Sequence, residues 1–165
     1  VTIVARGQTG GHTRYLPEED RKLWTKSQFE DMLAAALGGR VAEEVIFNET
    51  TTGASNDLEQ ATNIARTMVT KYGMSEKLGP RTFGKNEELV FLGRQISEQR
   101  DYSDSVAETI DSEVRKLIDE AHQKAIKLVT DHKAKLTELS KYLIDNETIE
   151  DEELTKLWDS PAPAL

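Results

Sequence analysis

Residues 51–80 read TTGASNDLEQATNIARTMVTKYGMSEKLGP, and this stretch decides the fold class of the chain. Small polar residues come first, and apolar residues then recur at helical spacing. The spacing predicts a helix from Ser55 or Asn56 to about Tyr72, with Gly73 placed to end it in the left-handed conformation. Its buried stripe is expected to consist of Leu58, Ala61, Ile64 (or Ala65), Met68 and Val69.

One acidic residue, Asp57, lies at the start of this helix. A carboxylate there can complement the partial positive charge of the helix N-terminus, an effect of roughly 0.3–1 kcal/mol. Alternatively, it can project from a rigid element and bind a metal together with ligands from elsewhere in the chain. Residue chemistry alone favours the first role, whereas the wider sequence pattern favours the second.

That wider pattern resembles the peptidase domain of FtsH-type, membrane-anchored ATP-dependent zinc metalloproteases. Three blocks carry the resemblance: LGGRVAEEVIF at 37–47, TTGASNDLEQAT at 51–62 and ARTMVTKYGMSEKLGP at 65–80. In that family, zinc is held by two histidines of an HExxH helix and by the Asp of an NDxxxAT segment. The resemblance therefore implies that Asp57 is the third zinc ligand.

The sequence departs from the family because it contains no HExxH motif. Its three histidines are His12, His122 and His132, and no two of them are four residues apart. An HExxH helix places both imidazoles on one face and supplies its Glu as general base. We therefore expect this chain alone to bind no zinc tightly and to cleave no peptide, the missing helix lying upstream of Val1. His122 and His132 are interpreted as surface residues, and His12 as a surface or hairpin residue.

Two further acids, Glu43 and Glu44, are alternative candidates for the metal site. Either can act as a third ligand or as a partner that orients a metal-bound imidazole. The simpler interpretation is a solvated helix face or a salt bridge with Arg40. Asp57 is preferred because it adjoins a helix start and lies in the segment that matches the ligand motif of the family.

The N-terminal region predicts a small β-hairpin. VTIVAR at 1–6 is β-branched, GQTGG is typical of a turn, and HTRYLP at 12–17 alternates in polarity. Such a hairpin can cover the helical core or offer its edge to an extended peptide, and the sequence leaves both open.

Two helices are predicted between residues 25 and 47. Thr25 is the expected N-cap of the first, with Gln28 completing a capping box. The pair Gly38–Gly39 either ends this helix or lets two backbones approach closely. A second short helix is then expected from Arg40 to about Phe47.

We expect the stretch at 85–102 to be mobile. It contains ELVFLG at 88–93, which is either a short strand or an apolar loop. Three more helices are predicted after this stretch. They run from near Ser103 to Thr130, from Lys133 to Ile144, and from an N-cap at Thr148 to Trp158. The predicted fold class is therefore mainly α, with a small β-hairpin at the N-terminal end. We expect one partial peptidase domain over 1–165, with 103–158 as its C-terminal helical part.

Composition excludes several classes of function. Cysteine is absent, which excludes disulfides and Cys-based zinc sites. The net charge is −9, and residues 101–165 hold 16 acidic but only 8 basic side chains, so nucleic acid is not an expected partner. No apolar run approaches the ~18–20 residues that span a bilayer, so this piece should not insert into a membrane. No GxxxxGK[ST] motif is present, so it should not bind ATP by itself.

The resemblance implies more about the parent protein than these residues do. It implies zinc in the intact domain, ATP and magnesium on an ATPase module outside this chain, and a homo-hexameric ring. Unfolded or membrane proteins would be the substrates, in quality control. The domain is expected to be soluble and to lie on the cytoplasmic face of a membrane, through an anchor upstream of this chain. The alternative is a non-enzymatic helical module for oligomerisation or docking that derives from such a domain.

Overall fold

The computed structural model describes residues 1–5, 11, 13, 23–84 and 102–161. These residues form helices and connecting loops, and no β-strand occurs among them, which confirms the mainly α fold class. The chain divides into two compact units. We call Leu23–Lys127 the central unit, and Val1–Lys22 with Leu128–Leu165 the terminal unit. The helices are α1 (Lys26–Phe47), α2 (Ser55–Thr70), α3 (Asp104–Asp131), α4 (Lys133–Asn146) and α5 (Asp151–Asp159), with a short 3₁₀ turn at Thr52–Ala54.

Helix α1 begins at the predicted capping box. The N–H of Gln28 donates to the Thr25 hydroxyl at 3.3 Å, and the N–H of Thr25 donates to the Gln28 side chain at 2.9 Å. These two bonds satisfy donors that the first turn leaves free. The sequence therefore located the start of this helix correctly.

The expected break at Gly38–Gly39 is wrong, because α1 runs through both glycines to Phe47. Leu33, Leu37 and Val41 are all almost completely buried and continue one stripe across the glycine pair. Burying such side chains gains about 1.5–3 kcal/mol each, more than the roughly 1 kcal/mol that each glycine costs in a helix. A Cβ added at either glycine would meet no described atom within 4 Å, so the close approach of two backbones is not observed here either.

The core of the central unit is built from the facing stripes of α1, α2 and α3. The stripe predicted for α2 is confirmed, and Gly73 after it has φ +60°. The carbonyl of Thr70 accepts the N–H of Phe83 at 2.8 Å, which brings this aromatic residue back into the core. The buried apolar cluster consists of Leu33, Ala34, Leu37, Ala61, Ala65, Met68, Val69, Phe83, Ile110, Val114, Leu117 and Ala121.

A buried carboxylate ties the loop after α2 to α3. The Ser75 hydroxyl donates to one oxygen of Glu113 at 2.8 Å, and the Lys77 ammonium lies 3.3 Å from the other. Burial alone would raise the pKa of Glu113, but the hydrogen bonds from Ser75 and Lys77 outweigh it and lower the pKa below its ordinary value. Glu113 is therefore held as a charged group inside the central unit.

In the terminal unit, the N-terminal segment pairs with the α4–α5 connection. Thr2 forms an antiparallel bridge with Thr148, and the N–H of Ile3 donates to the Glu147 carbonyl at 3.0 Å. Most of the predicted partner strand at 12–17 lies outside the described residues, so the hairpin stays a prediction. Gly11 does return past Thr2, and a Cβ there would lie 2.7 Å from the Thr2 carbonyl oxygen.

The predicted N-cap of α5 at Thr148 is wrong. Helix α5 begins at Asp151, with Glu150 at the N-cap and no side-chain hydrogen bond to the cap. The Thr148 hydroxyl instead donates to the Thr2 hydroxyl at 3.0 Å. Pairing with the N-terminal segment holds Thr148 and buries Ile149, and the N-cap lies two residues later than predicted.

Helices α4 and α5 are joined by a buried lysine. The Lys135 ammonium donates to Glu138 at 2.7 Å and to the Leu157 and Ser160 carbonyls at 2.7 and 2.9 Å. It thereby supplies donors to carbonyls at the end of α5, which lack partners within their own helix. The expected mobile stretch and the segment at 88–93 lie outside the described residues, apart from Tyr102.

None of the helices in the described ranges is both long enough and apolar enough to cross a membrane.

Candidate functional site

The site is built on the short connection between α1 and α2. Helix α1 ends at Phe47, and its C-cap Asn48 turns the chain with a left-handed φ of 54°. Thr51 then starts the 3₁₀ turn, and its hydroxyl accepts the N–H of Gly53 at 3.1 Å. The turn runs directly into Ser55, the first residue of α2. Few backbone degrees of freedom therefore remain between the end of one helix and the start of the next.

Glu43 braces this connection from α1. The N–H of Thr51 donates to one Glu43 oxygen at 2.9 Å, and the Thr51 hydroxyl donates to the other at 2.8 Å. The backbone hydrogen bond from Thr51, followed by that from its hydroxyl, lowers the pKa of Glu43. Both oxygens of this carboxylate are thus engaged by the loop that leads to α2.

Sequence reasoning missed this brace. Thr51 two residues before Gly53 is typical of a turn in which a hydroxyl accepts a backbone N–H, so the turn itself had a signal. The contact with Glu43 had none, because eight residues of separation across a helix end follow no regular period.

Asp57 lies in the first turn of α2 and is half-buried. Within the part of the chain that the structure describes, its carboxylate makes no hydrogen bond or ion pair. The N-cap residue of this helix, Ala54, offers no side-chain cap. Asp57 therefore presents an uncommitted carboxylate on a rigid element, at the positive end of a helix.

Glu44 contacts two basic side chains, those of Arg40 and His122. One of its oxygens lies 3.2 Å from Nε of Arg40, and the other lies 3.0 Å from Nε2 of His122 on α3. The salt bridge with Arg40, which the sequence left as an alternative, is thus observed for Glu44. The interpretation of His122 as a surface residue is wrong, since it is half-buried and links α1 to α3. Spacing along α3 could not reveal which acid on α1 would face it.

The other two histidines belong to the terminal unit. His132 is exposed in the terminal unit, where its ring lies 5.2 Å from that of Trp158. His12 lies outside the described residues. Across the described ranges, no three His, Asp or Glu side chains form a group that could hold a metal ion. Asp57 fits the role of one ligand, and the described residues do not assemble a complete set around it.

Comparison with known proteins gives a consistent result. A family model described as "Peptidase family M41" matches residues 1–157. The protein named "ATP-dependent zinc metalloprotease FtsH 1" of Sphaerobacter thermophilus is 58% identical over 163 residues, which cover 99% of this chain. Its namesake in Thermomicrobium roseum is 57% identical over 163 residues, again 99% of this chain. The protein named "ATP-dependent zinc metalloprotease FtsH" of Bacillus subtilis is 48% identical over 160 residues, or 96% of this chain.

In each of these three relatives, the matched region is 25% of the relative's length. The chain thus spans about a quarter of the curated relatives that it matches.

Proposed function

Because this chain belongs to peptidase family M41, we propose that it provides part of a zinc peptidase site, with Asp57 as one of three protein ligands to the metal. The observation that carries the proposal is the carboxylate of Asp57 at the braced start of α2, which has no hydrogen-bond or ion-pair partner among the described residues. The names of the similar proteins, all ATP-dependent zinc metalloproteases, support the same metal and the same class of reaction.

The contacts of the three candidate acids favour Asp57. Both oxygens of Glu43 are engaged by Thr51, and those of Glu44 are engaged by Arg40 and His122. To bind a metal, either glutamate would have to give up these contacts. Asp57 has no such contact to lose within the described residues, so the exchange costs it least.

The rigid connection between α1 and α2 also suits a metal site. A metal site needs its ligands within about 0.5 Å of their productive positions, and helices hold them better than loops do. The contact between Glu43 and Thr51, together with the 3₁₀ turn, fixes where α2 starts. Asp57 is the third residue of this helix. Zinc bound there would polarise a scissile carbonyl and lower the pKa of a bound water to about 7.

For the complete gene product we propose ATP-dependent degradation of unfolded or membrane polypeptides, by a membrane-anchored hexamer whose ATPase module lies outside this chain. This extends the printed names of the relatives, of which this chain spans a quarter. We further propose that the 165-residue chain alone is inactive and holds no zinc tightly. Catalytic zinc normally has three protein ligands, and the sequence has no HExxH motif to supply the other two.

The proposal is tested with casein as substrate, comparing the complete gene product with the 165-residue chain. The complete protein should degrade casein in the presence of ATP and zinc, and a zinc chelator should abolish the cleavage. The chain alone should show neither cleavage nor stoichiometric zinc. Robust, chelator-sensitive cleavage by the chain alone would refute its inactivity, and chelator-resistant cleavage by the complete protein would refute the zinc chemistry.

A further inference from the structure

A groove of about 560 Å³ lies between the start of α1 and the outer face of α2. This volume falls within the range of roughly 300–1,000 Å³ that is usual for binding pockets. One end of the groove is lined by Asn56, the neighbour of Asp57 in the sequence. The groove therefore begins in the same helical turn as Asp57, on the adjoining face of α2.

One side of the groove is a stripe of uncharged polar residues on α2. Asn56, Gln60 and Asn63 occupy positions i, i+4 and i+7, and Thr67 continues the stripe by one more turn. Within the described part of the chain, none of these four side chains makes an internal hydrogen bond. The hydroxyls of Thr62 and Thr70, by contrast, each donate to a carbonyl of their own helix at 2.8 Å. The stripe thus offers free donors and acceptors to an outside partner.

The other side of the groove is aromatic. The rings of Phe29 and Tyr72 stack with their centroids 5.4 Å apart, and both residues line the groove. Trp24 extends this row, 5.9 Å from Phe29. Tyr72 and Trp24 are 54% and 53% exposed, so this row leaves a contiguous aromatic surface open to solvent.

We propose that this groove binds an extended segment of the polypeptide substrate, several residues away from the bond that is cleaved. The inference rests on the proposed peptidase function and deepens it by adding a subsite. A peptide backbone carries a donor and an acceptor at every residue, which carboxamide side chains can match in both senses. Apolar substrate side chains would pack on the aromatic row.

Length and charge agree with a peptide. Residues 56 to 67 span about 16 Å along the helix axis, which is the length of about five residues of an extended chain. Among the described residues, Glu59 is the one acidic residue that lines the groove, and no described lysine or arginine lines it. These lining residues supply no positive charge to complement a phosphate, which disfavours a nucleotide or a nucleic acid relative to an uncharged peptide backbone.

The test uses the complete gene product and three fluorogenic peptides with one shared scissile sequence. One peptide is short, of about four residues. Of the two longer peptides, one is extended by about six residues on the N-terminal side of the scissile bond, and the other by about six residues on its C-terminal side. The variant Gln60→Ala/Asn63→Ala removes two carboxamides that are exposed and have no internal partner, so the fold should be unaffected. The control Gln123→Ala removes an exposed carboxamide from α3, outside the groove.

The double variant should raise KM for one of the long peptides about five- to tenfold, with kcat within about twofold of the unaltered enzyme, because two hydrogen bonds to bound substrate are lost. KM for the short peptide, the zinc content and every constant of the Gln123→Ala variant should be unchanged. Unchanged KM for both long peptides, an equal loss with the short peptide, or a segment of the protein's own chain filling the groove in a structure of the complete protein would overturn the subsite. An unaltered protein that holds no zinc and cleaves none of the peptides would instead overturn the peptidase function together with the subsite.

Discussion

In the central unit, twelve buried apolar side chains form a continuous core, whereas in the terminal unit the only buried side chains among the described residues are those of Ile149 and Lys135. The central unit is held by apolar burial, and the terminal unit by backbone pairing and by the hydrogen bonds of one lysine. The difference teaches where a site of fixed geometry can be built. Asp57 projects from a helix that is packed into the core through Ala61 and Met68, so its position is set by many contacts.

The largest effect should come from Asp57→Asn in the complete gene product, with Asp151→Asn as its control. Both aspartates lie in the first turn of a helix, one in each unit, and each variant loses a similar helix-dipole interaction of about 0.3–1 kcal/mol. Asp57→Asn should lower zinc affinity and casein cleavage by more than about 100-fold, since losing a group that merely supports a ligand already costs 10–100-fold. Asp151→Asn should leave both unchanged. Equal zinc content in the two variants would reduce Asp57 to an electrostatic role.

The same contrast explains how much of the fold the sequence could predict. The apolar stripes of α2 and α3 indicated their helices well, because Ala61, Met68 and Ile110 are buried where a helical period places them. The glycine pair in α1 led to the wrong prediction of a helix break. Local propensity opposes a helix at the two glycines, but the buried stripe continues through them.

Contacts between residues far apart in the sequence were beyond such reasoning. Thr148 is a residue type typical of an N-cap, yet its hydroxyl donates a hydrogen bond to the hydroxyl of Thr2, 146 positions away in the sequence. His122 reaches Glu44 across 78 positions, and no period connects them. The candidate ligand Asp57 was found through a family motif, because the chemistry of its neighbours alone favoured the simpler electrostatic role.

The two units should respond differently to truncation of an apolar side chain. Leu37→Ala in the central unit should lower the free energy of unfolding by about 2–5 kcal/mol, since Leu37 is 2% exposed and its removal leaves a cavity. Ile144→Ala in the terminal unit should change it by no more than about 0.5 kcal/mol, because Ile144 is 71% exposed. Urea unfolding of both variants measures the difference. If both variants lost the same free energy of unfolding, Ile144 would have to be buried, which would contradict the exposed face of α4.

Lys135→Met tests whether polar contacts hold the terminal unit. Methionine fills similar space but leaves the Ser160 carbonyl without this donor and the Leu157 carbonyl with only the Ser160 hydroxyl, so we expect the free energy of unfolding to fall by about 1–3 kcal/mol. Faster amide hydrogen exchange in α5 should report it. Lys141→Met removes an exposed lysine from the same helix and should have no such effect. Unchanged exchange in α5 for Lys135→Met would show that the lysine contacts do not hold this helix.

Glu43→Ala tests the brace that positions Asp57. Its loss should free Thr51 and lower zinc affinity of the complete protein about tenfold, the lower end of the range for groups that orient a ligand. Glu49→Ala removes an exposed acid after α1 and serves as the control. Zinc titration distinguishes two failures. Unchanged affinity would remove the positioning role of Glu43, and a loss as large as that of Asp57→Asn would make Glu43 a ligand itself.

The smallest effect concerns the pH dependence of the central unit. The folded pKa of Glu113 lies below its ordinary value of 4.5, because Ser75 and Lys77 outweigh the cost of burial. Its charged form therefore stabilises the folded state above the unfolded pKa, and this contribution is lost as the pH falls through the folded pKa. Glu113→Gln should flatten the decline in stability below about pH 4.5, measured as urea midpoints. Parallel profiles for the two proteins would contradict the role of this carboxylate.

The most direct measurement is a zinc-bound structure of the complete gene product. The account predicts a carboxylate oxygen of Asp57 about 2.0–2.2 Å from the zinc, with Glu43 still bonded to Thr51. A zinc ion coordinated by Glu43 or Glu44, with the Asp57 side chain turned to solvent, would contradict it.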